Sequence, residues 1–199
     1  MSIEQLNSYR IILFSKSPRR FELLKQLGLE FEVHDQGDVT ESFPPELKGS
    51  AIAKYLAERK SDAYEKPLQE REILITADTI VWHSDHILDK PRDEKEARAM
   101  LEELSGDFHR VFTGVCIRSC LKKKVFVSET TVKFSHISEF DINHYIHHYK
   151  PFDKAGAYGI QEWIGSIAVE RINGSYFNVM GLPVQRVYRE LVKFTATGS

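Results

Sequence analysis

Hydroxyl and guanidinium side chains are concentrated in one short stretch near the start of the chain, Ser15-Lys16-Ser17-Pro18-Arg19-Arg20. It follows Arg10–Phe14, an apolar run that predicts a buried strand, and it precedes apolar residues at helical spacing. Ser17 suits a helix N-cap, and Pro18 suits the first helical position. Because a helix N-terminus and arginine guanidiniums both favour phosphate oxygens, the stretch predicts an anion site. It is not a Walker A loop, since the chain has no G-x-x-x-x-G-K-[ST] sequence.

A single carboxylate lies inside the most apolar run of the chain. Ile73–Trp82 is nearly continuous in apolar and β-branched residues, as is typical of a strand covered on both faces, and Asp78 is its one charged residue. A buried carboxylate is costly unless it is paired, binds a metal or lines a cleft. Asp78 is therefore a candidate functional residue, with a structural salt bridge as the alternative. Its neighbour Thr79 could hydrogen-bond a ligand, although threonine is ordinary in a strand.

Four further residues become candidates only in combination. Lys90 ends a predicted returning strand, Lys60 lies on a predicted helix, and Glu41 lies in a loop with several acids and prolines. Each of these three has an ordinary solvated alternative. Gln161 could contact the edge of a nucleotide base, because its amide both donates and accepts hydrogen bonds, but a structural role is an equal alternative.

Composition excludes several classes of protein. The 199 residues carry a formal net charge of −2, which argues against general nucleic-acid binding. Cys116 and Cys120 suit neither a disulfide framework nor a zinc site, which favours a reducing compartment. Three histidines at 144, 147 and 148 lack a fourth zinc ligand. With no long apolar stretch and no signal-like N-terminus, we expect a cytoplasmic protein without a membrane partner.

The elements that must position these residues follow from local patterns. The order of strands and helices predicts a mixed α/β fold with a mixed sheet, and no linker divides the chain. Besides the first strand, turn and helix, we predict the following elements: a strand at 31–34, a helix capped by Ser50, a strand at 73–82, a helix capped by Asp93 with Glu96 as its capping-box partner, a hairpin of 111–119 and 124–134, a short helix at 140–148, a strand at 167–172, and a C-terminal helix opened by Gly181-Leu182-Pro183.

An arginine-rich anion turn together with a buried aspartate suits hydrolysis at a phosphate. Arginine and lysine would neutralise phosphate oxygens, while carboxylates would hold a divalent metal and orient or deprotonate water. Covalent catalysis is not favoured, because the chain has no G-x-S-x-G elbow and neither cysteine has an evident activating histidine.

Several motifs in consistent order, over about residues 10 to 193, resemble the Maf family of nucleoside triphosphate pyrophosphatases. They are Ser15-x-Ser-Pro-Arg-Arg-x-Glu-Leu-Leu24, Ala77-Asp-Thr-Ile-Val81, Lys90-Pro91, Met100-Leu-x-x-Leu-Ser-Gly106 with His109 and Thr113-Gly-Val115, Asp153-Lys-Ala-Gly-Ala-Tyr-Gly-Ile-Gln161, and Ile172-Asn-Gly-Ser-Tyr176 with Gly181-Leu-Pro183. Departures from the family pattern are Phe14, Lys16 and Asp89, and none of them removes a charged group of the motifs.

The resemblance implies a fold and an activity. The fold is α/β, with a mixed twisted central sheet flanked by helices and two lobes with an active-site cleft, similar to inosine triphosphate pyrophosphatases. The chain, 1–199, would be a single domain with an ordered core at about 10–194. The activity is hydrolysis of a nucleoside triphosphate to the monophosphate and pyrophosphate, assisted by Mg²⁺ or Mn²⁺. A homodimer is a further expectation, since dimers are common in the family.

The resemblance also implies a role for each matched residue. Asp78 would accept the proton of the attacking water, or bind the metal. Glu41 would help to bind the metal, with Asp38 as the alternative match. The residues that would hold the triphosphate are Ser15, Arg20, Lys60 and Lys90.

Three positions imply the branch of the family. Arg19, Thr79 and Gln161 match the branch that acts on dTTP and UTP, and an amide at 161 can both donate to and accept from the edge of uracil or thymine. The resemblance thus implies a hydrolase that removes non-standard or excess pyrimidine nucleotides. Two alternatives stay open: the branch that acts on 7-methyl-GTP, and a nucleotide-binding regulator of septum formation that does not hydrolyse its ligand.

Overall fold

The computed structural model describes residues 6–37 and 39–196, and a single sheet organises them. The strands are β1 Arg10–Phe14, β2 Phe31–His34, β3 Glu72–His83, β4 His86–Leu88, β5 Phe108–Arg118, β6 Lys123–Phe134 and β7 Val169–Asn173. The helices are α1 Pro18–Lys25, α2 Ser50–Asp62, α3 Glu94–Leu104, α4 Glu139–Tyr149, α5 Trp163–Ala168, α6 Tyr176–Met180 and α7 Val184–Ala196, with a 3₁₀ turn at Ala155–Ala157.

The sheet is mixed, and its strand order is β2-β1-β3-β5-β6-β7, with β4 paired to the end of β3. β1 runs parallel to β2 and β3, whereas β3, β5, β6 and β7 form antiparallel pairs in that order. The predicted mixed α/β fold with helices flanking a central sheet is therefore confirmed. In the described part of the chain, no helix is long and apolar enough to cross a bilayer.

The apolar core is divided although the sheet is continuous. Alternate residues of a strand share a face, and on one face of β3 the residues Ile75 and Ala77 belong to one large apolar cluster while Val81 belongs to another. Between the two clusters, Thr79 lies opposite Thr113 of β5, and their hydroxyl oxygens are 3.0 Å apart. A polar pair at the middle of this face thus separates the two apolar clusters, which agrees with the two lobes that the family resemblance implies.

The other face of β3 is covered by α2, which approaches β5 very closely. Gly114 of β5 lies opposite Asp78 in the sheet, and a Cβ atom at this glycine would be 2.0 Å from the carbonyl oxygen of Ala53. Thr76 donates a hydrogen bond of 2.6 Å to the Ala57 carbonyl of α2. The missing side chain at Gly114 therefore lets the helix lie against the strand next to Asp78.

One predicted helix cap and one predicted capping box differ from the structure. Gly49, with a φ of 50°, is the N-cap of α2, so Ser50 is the first helical residue and makes no cap. Asp93 does cap α3, accepting from the Glu96 N–H at 2.8 Å, but the Glu96 carboxylate accepts from the Arg92 N–H instead of closing a capping box.

The predicted strand at 167–172 begins two residues too early. Residues 167 and 168 complete α5, because Ile164 and Ala168 are packed into the core while Ile167 is exposed. The strand β7 starts only at Val169. The sequence interpretation did not contain α5 or α6, and both helices are short enough that tertiary packing outweighs their local propensity.

Candidate active site

The site lies at a gap in the sheet. β1 pairs with β3 up to Leu13 opposite Ile75, and β4 begins pairing at Val81. Within the described residues, the edge of β3 from 76 to 80 has no neighbouring strand on this side. A cavity of about 330 Å³, here called the cleft, occupies this place. All of the predicted site residues line it: Ser15, Arg19, Arg20, Glu41, Lys60, Asp78, Thr79, Lys90 and Gln161. Asp38, the alternative match to Glu41, lies outside the described residues.

The turn after β1 carries the predicted anion site. Ser17 is the N-cap of α1 and accepts from the Arg20 N–H at 3.4 Å, while the Ser15 hydroxyl accepts from the Ser17 N–H at 3.1 Å. Both serines thus organise the turn itself. The first turn of α1 lies beside the cleft, where its N-terminal dipole favours an anion.

The Arg20 side chain is buried and connects the turn to the far side of the cleft. Its Nε donates to the Gly181 carbonyl at 2.9 Å, and its Nη2 donates to the Thr79 hydroxyl at 3.2 Å. The Thr113 hydroxyl in turn donates to the Asn178 carbonyl at 2.9 Å. The structure therefore places Thr79 in contact with Arg20, and not with Arg19, with which the family resemblance groups it.

Two lysines and two carboxylates form a continuous cluster at the gap. The Lys60 ammonium donates to Asp78 Oδ1 and, at 2.8 Å, to Glu41 Oε1. The Lys90 ammonium donates to Glu41 Oε2 at 2.9 Å. Lys60 and Asp78 are almost fully buried, with 2% and 5% of their surface exposed, so solvent screens their ion pair only weakly. Both alternatives for Asp78 are present together, because the residue is paired and also lines a cleft.

The cluster changes the acidity of its carboxylates in opposite directions. Burial raises the pKa of Asp78, and the charges of Lys60 and Arg20 oppose that rise. Burial alone would also raise the pKa of Glu41, but hydrogen bonds and charge from Lys60 and Lys90 outweigh it and lower that pKa to about 2. Asp78 is thus the better proton acceptor, and Glu41 is the more permanent anion.

The donor set of this cluster fits a divalent cation. Asp78 and Glu41 both contact one cation, the Lys60 ammonium. Mg²⁺ is commonly bound by one or two carboxylates, with substrate phosphates and water completing its shell. Among residues 6–37 and 39–196, no group of three or more His, Cys, Asp or Glu could hold a metal ion. The two carboxylates would therefore need phosphate oxygens from a substrate as further ligands.

The opposite wall of the cleft is formed by residues of the segment from 153 to 161. Arg19 contacts it, because its Nη1 is 2.7 Å from Asp153 Oδ2. Gln161 is exposed to the cleft on the same segment, and Tyr158-Gly159-Ile160 before it forms neither a helix nor a strand. The structure thereby brings Arg19 and the Gln161 segment to one wall.

The whole chain can be compared with known proteins. A sequence model of the family described as Maf-like protein matches residues 10–194. The chain belongs to the Maf family. A relative from Parabacteroides distasonis, named dTTP/UTP pyrophosphatase, is 50% identical over 96% of this chain and 100% of its own length. A relative of the same name from Flavobacterium johnsoniae is 48% identical over 94% of this chain and 96% of its own. The solved structure of the Staphylococcus aureus Ham1 protein has 14% identity and a TM-score of 0.43, over 63% of this chain and 71% of that chain.

Four residues of this Maf-family chain that sequence reasoning did not single out lie at or beside the cleft. Asp153, Lys154 and Tyr158 line it, and Glu162 pairs with Lys154. The Asp153–Gln161 motif contained three of them, but only the fold shows that Lys154 is buried and paired with two carboxylates. His109, a motif residue without an assigned role, contacts the Tyr158 hydroxyl through Nε2 at 2.7 Å, and burial lowers its pKa to about 3.

Proposed function

We propose that the protein hydrolyses dTTP and UTP to the nucleoside monophosphate and pyrophosphate. The observation that carries this proposal is the cluster in the cleft, where Lys60 and Lys90 surround the carboxylates of Asp78 and Glu41 beside buried Arg20. Its charge and donor types suit a triphosphate and an attacking water. The names of the relatives that are about half identical over nearly the whole chain support the choice of pyrimidine nucleotides.

The chemistry needs one water and one broken bond. Water attacks the α-phosphorus, the bridging bond between the α- and β-phosphates breaks, and pyrophosphate leaves. Asp78 takes the proton of the water, which its raised pKa favours. Lys60 keeps the carboxylate oriented by a direct hydrogen bond. This division of roles among the residues of the cluster is part of the proposal.

The cations of the cleft would stabilise the charge that develops on the phosphate oxygens. Lys90 is half exposed at the mouth of the cleft, whereas Arg20 is buried and fixed by Gly181 and Thr79. A buried, oriented guanidinium needs little reorganisation when the transition state forms. The Ser15 turn would bind phosphate oxygens at the start of α1.

We propose Asp78 and Glu41 as the residues that hold Mg²⁺ or Mn²⁺. When bound, such a cation neutralises charge on the phosphates and orients them as a template. Lys60 would have to move away from one of its two carboxylate partners for the cation to bind, since it contacts both of them.

The experiment is a substrate panel. The protein is incubated with Mg²⁺ or Mn²⁺ and with dTTP, UTP, dCTP, dATP, dGTP or 7-methyl-GTP, and released pyrophosphate is measured. We expect multiple turnovers with dTTP and UTP and slower turnover with the others. Preferential turnover of 7-methyl-GTP would contradict the proposal, as would tight dTTP binding without hydrolysis.

Three wider expectations accompany the proposed function. We propose that residues 1–199 act as a single Maf-like domain, in support of which one family match covers 10–194. We propose a cytoplasmic enzyme, because the two cysteines are free, one buried and one exposed. We also propose that it forms homodimers and binds neither nucleic acid nor membranes, which light scattering and binding assays with DNA and vesicles can test.

A further inference from the structure

A chain of polar contacts leads away from Arg19 along the wall of the cleft. Arg19 Nη1 is 2.7 Å from Asp153 Oδ2, and Arg19 Nη2 is 3.5 Å from the Asp153 carbonyl oxygen. The other carboxylate oxygen of Asp153 accepts from the Lys154 ammonium at 2.7 Å. Lys154 continues the chain to Glu162 Oε1 at 3.1 Å. Cations and carboxylates thus alternate from Arg19, in the first turn of α1, to Glu162, which directly follows Gln161.

The chain of contacts ends in the core of the second lobe. Glu162 Oε2 accepts from the hydroxyl of Tyr145 in α4, and the same hydroxyl accepts from the Gly159 N–H at 3.0 Å. Tyr145 is fully buried, and burial together with Glu162 raises the pKa of its hydroxyl, which therefore keeps its proton. The Tyr145 hydroxyl therefore contacts both Gly159 and Glu162, the two residues that flank Ile160 and Gln161.

The packing around Gly159 ties Gln161 to the same contacts. A Cβ atom at Gly159 would be 2.8 Å from Gln161 Nε2 and 2.8 Å from Glu162 Cδ. The amide of Gln161 and the carboxyl of Glu162 therefore share the space that the glycine leaves empty. Glu162 therefore limits the space that is open to the Gln161 amide beside Gly159.

The Lys154–Glu162 pair is the shielded part of these contacts, whereas Asp153 is 59% exposed where it meets Arg19. The side chains of Lys154 and Glu162 are 9% and 20% exposed, so their ion pair is screened much less than a surface pair. Burial alone would raise the pKa of Asp153, but hydrogen bonds from Lys154 and Arg19 outweigh it and lower that pKa. The carboxylate stays ionised near neutral pH and keeps both partners.

We propose that Asp153, Lys154, Glu162 and Tyr145, here called the base-side network, are positioning residues that hold Arg19 and Gln161 in one arrangement and so set which base the cleft accepts. This inference rests on the proposed function, because it assigns the selection of dTTP and UTP to Arg19 and Gln161. The four residues of the base-side network would influence this selection through Arg19 and Gln161, without touching the base themselves.

The test compares selectivity in variants that break the network at opposite ends. D153N removes the charge that fixes Arg19, and Y145F removes the hydroxyl that holds Glu162 and Gly159. The measured quantity is the ratio of kcat/KM for dTTP to that for dCTP. We expect this ratio to fall about tenfold in each variant, mostly because dTTP turnover is lost. A change of this size is typical when one of two residues in contact is altered. A merely structural role would lower both rate constants together and leave the ratio unchanged.

A double-mutant cycle separates positioning from direct contact. If Asp153 acts through Arg19, the effect of D153N on the ratio is much smaller in a protein that already carries R19M. The matched control is D62N, because Asp62 is exposed to a similar extent, pairs with Lys123 and Arg118, and lies on α2 away from the cleft wall. We expect D62N to keep the ratio of the unchanged protein. Thermal unfolding of every variant verifies that each is folded.

The possible results distinguish the inference from the function on which it rests. If the unchanged protein prefers dTTP and UTP but D153N and Y145F keep that preference, the base-side network is not what sets selectivity. Full additivity of R19M and D153N would also overturn it. If the unchanged protein shows no preference for dTTP and UTP, the proposed function fails and the inference fails with it.

Discussion

Asp78 and Lys60 are in contact in a place that is almost closed to solvent, with 5% and 2% of their surfaces exposed. A buried ion pair is stabilising only while both partners are present, because either one alone would be an uncompensated buried charge. Here Glu41 and Arg20 add further charges of both signs around the pair. An Asp78 substitution that keeps shape and hydrogen bonding is therefore a cleaner test of chemistry than a truncation, which would also disturb stability.

For Asp78→Asn, we expect kcat with dTTP to fall by about 10²- to 10⁴-fold, because an amide of the same size cannot accept the proton of water. The dissociation constant for dTTP should change only a few-fold, since the phosphate-binding cations remain. Turnover assays and calorimetry measure the two quantities. Asp62→Asn, an ion-paired carboxylate outside the cleft, is the control. A fully active Asp78→Asn protein would show that another group accepts the proton.

At the scale of elements, the cleft depends on how α2 is seated on the sheet. Lys60 lies in the last turn of α2, and Asp78 lies on β3, so their contact requires the helix to stay close to both β3 and β5. Gly114 provides that approach directly opposite Asp78. If α2 moved outward, the cleft at the gap in the sheet would lose one of its walls.

Gly114→Ala should therefore destabilise the fold and weaken catalysis together. A Cβ atom 2.0 Å from the Ala53 carbonyl oxygen forces the helix away, and such overpacking costs about 3 kcal/mol of unfolding free energy. Urea denaturation gives this quantity. Gly106→Ala is the matched control, because Gly106 has a φ of 73° but no atom within 4 Å of a Cβ, so only backbone strain of about 1–2 kcal/mol is expected. Equal losses in the two variants would contradict the close-approach argument.

At the scale of the whole molecule, buried polar contacts at the middle of the sheet and ion pairs at the far end of β3 tie helices and loops to the strands. Arg20 connects α1 to the loop before α7 through Gly181. At the far end of β3, His83 joins the strand to α3 and to the turn before β5, with Nδ1 at 2.7 Å from Glu103 and Nε2 at 3.1 Å from Asp107. Both ring nitrogens face carboxylates, and only the protonated imidazole can donate a hydrogen bond to each of them.

The stability of the molecule should depend on pH through His83. Burial lowers the pKa of this imidazole, but hydrogen bonds and charge from Glu103 and Asp107 outweigh it and raise the pKa above its usual value. A group whose pKa is raised by folding stabilises fully below its unfolded pKa, about 6.5, and loses that contribution as the pH rises through the folded pKa. His83→Gln should therefore lower the unfolding free energy more at about pH 5.5 than at about pH 9.

Urea denaturation at the two pH values measures this difference, with exposed His147→Gln as the control variant. An equal loss at both pH values would mean that His83 stabilises the fold by packing alone.

Local patterns were enough to predict much of the chain. The strand–turn–helix at 10–25 follows from an apolar run, an N-cap serine and a proline, all within a few residues of each other. Asp78 was identifiable because a charged residue inside an apolar strand is unusual, and it can be recognised without knowing which residue pairs with it. Local signals failed where packing outweighs propensity, as in α5, where a β-branched run is partly helical.

The sequence by itself therefore determined the class of fold and the family, and it indicated the candidate charged residues of one cleft except Asp153 and Lys154. Only the tertiary structure decided which of them meet: Thr79 contacts Arg20, Glu41 bridges Lys60 and Lys90, and Arg19 pairs with Asp153, 134 positions away. The physical reason is that a local pattern records the propensity and burial of its own residues. A pairing between distant side chains depends instead on how the two lobes pack around the gap in the sheet.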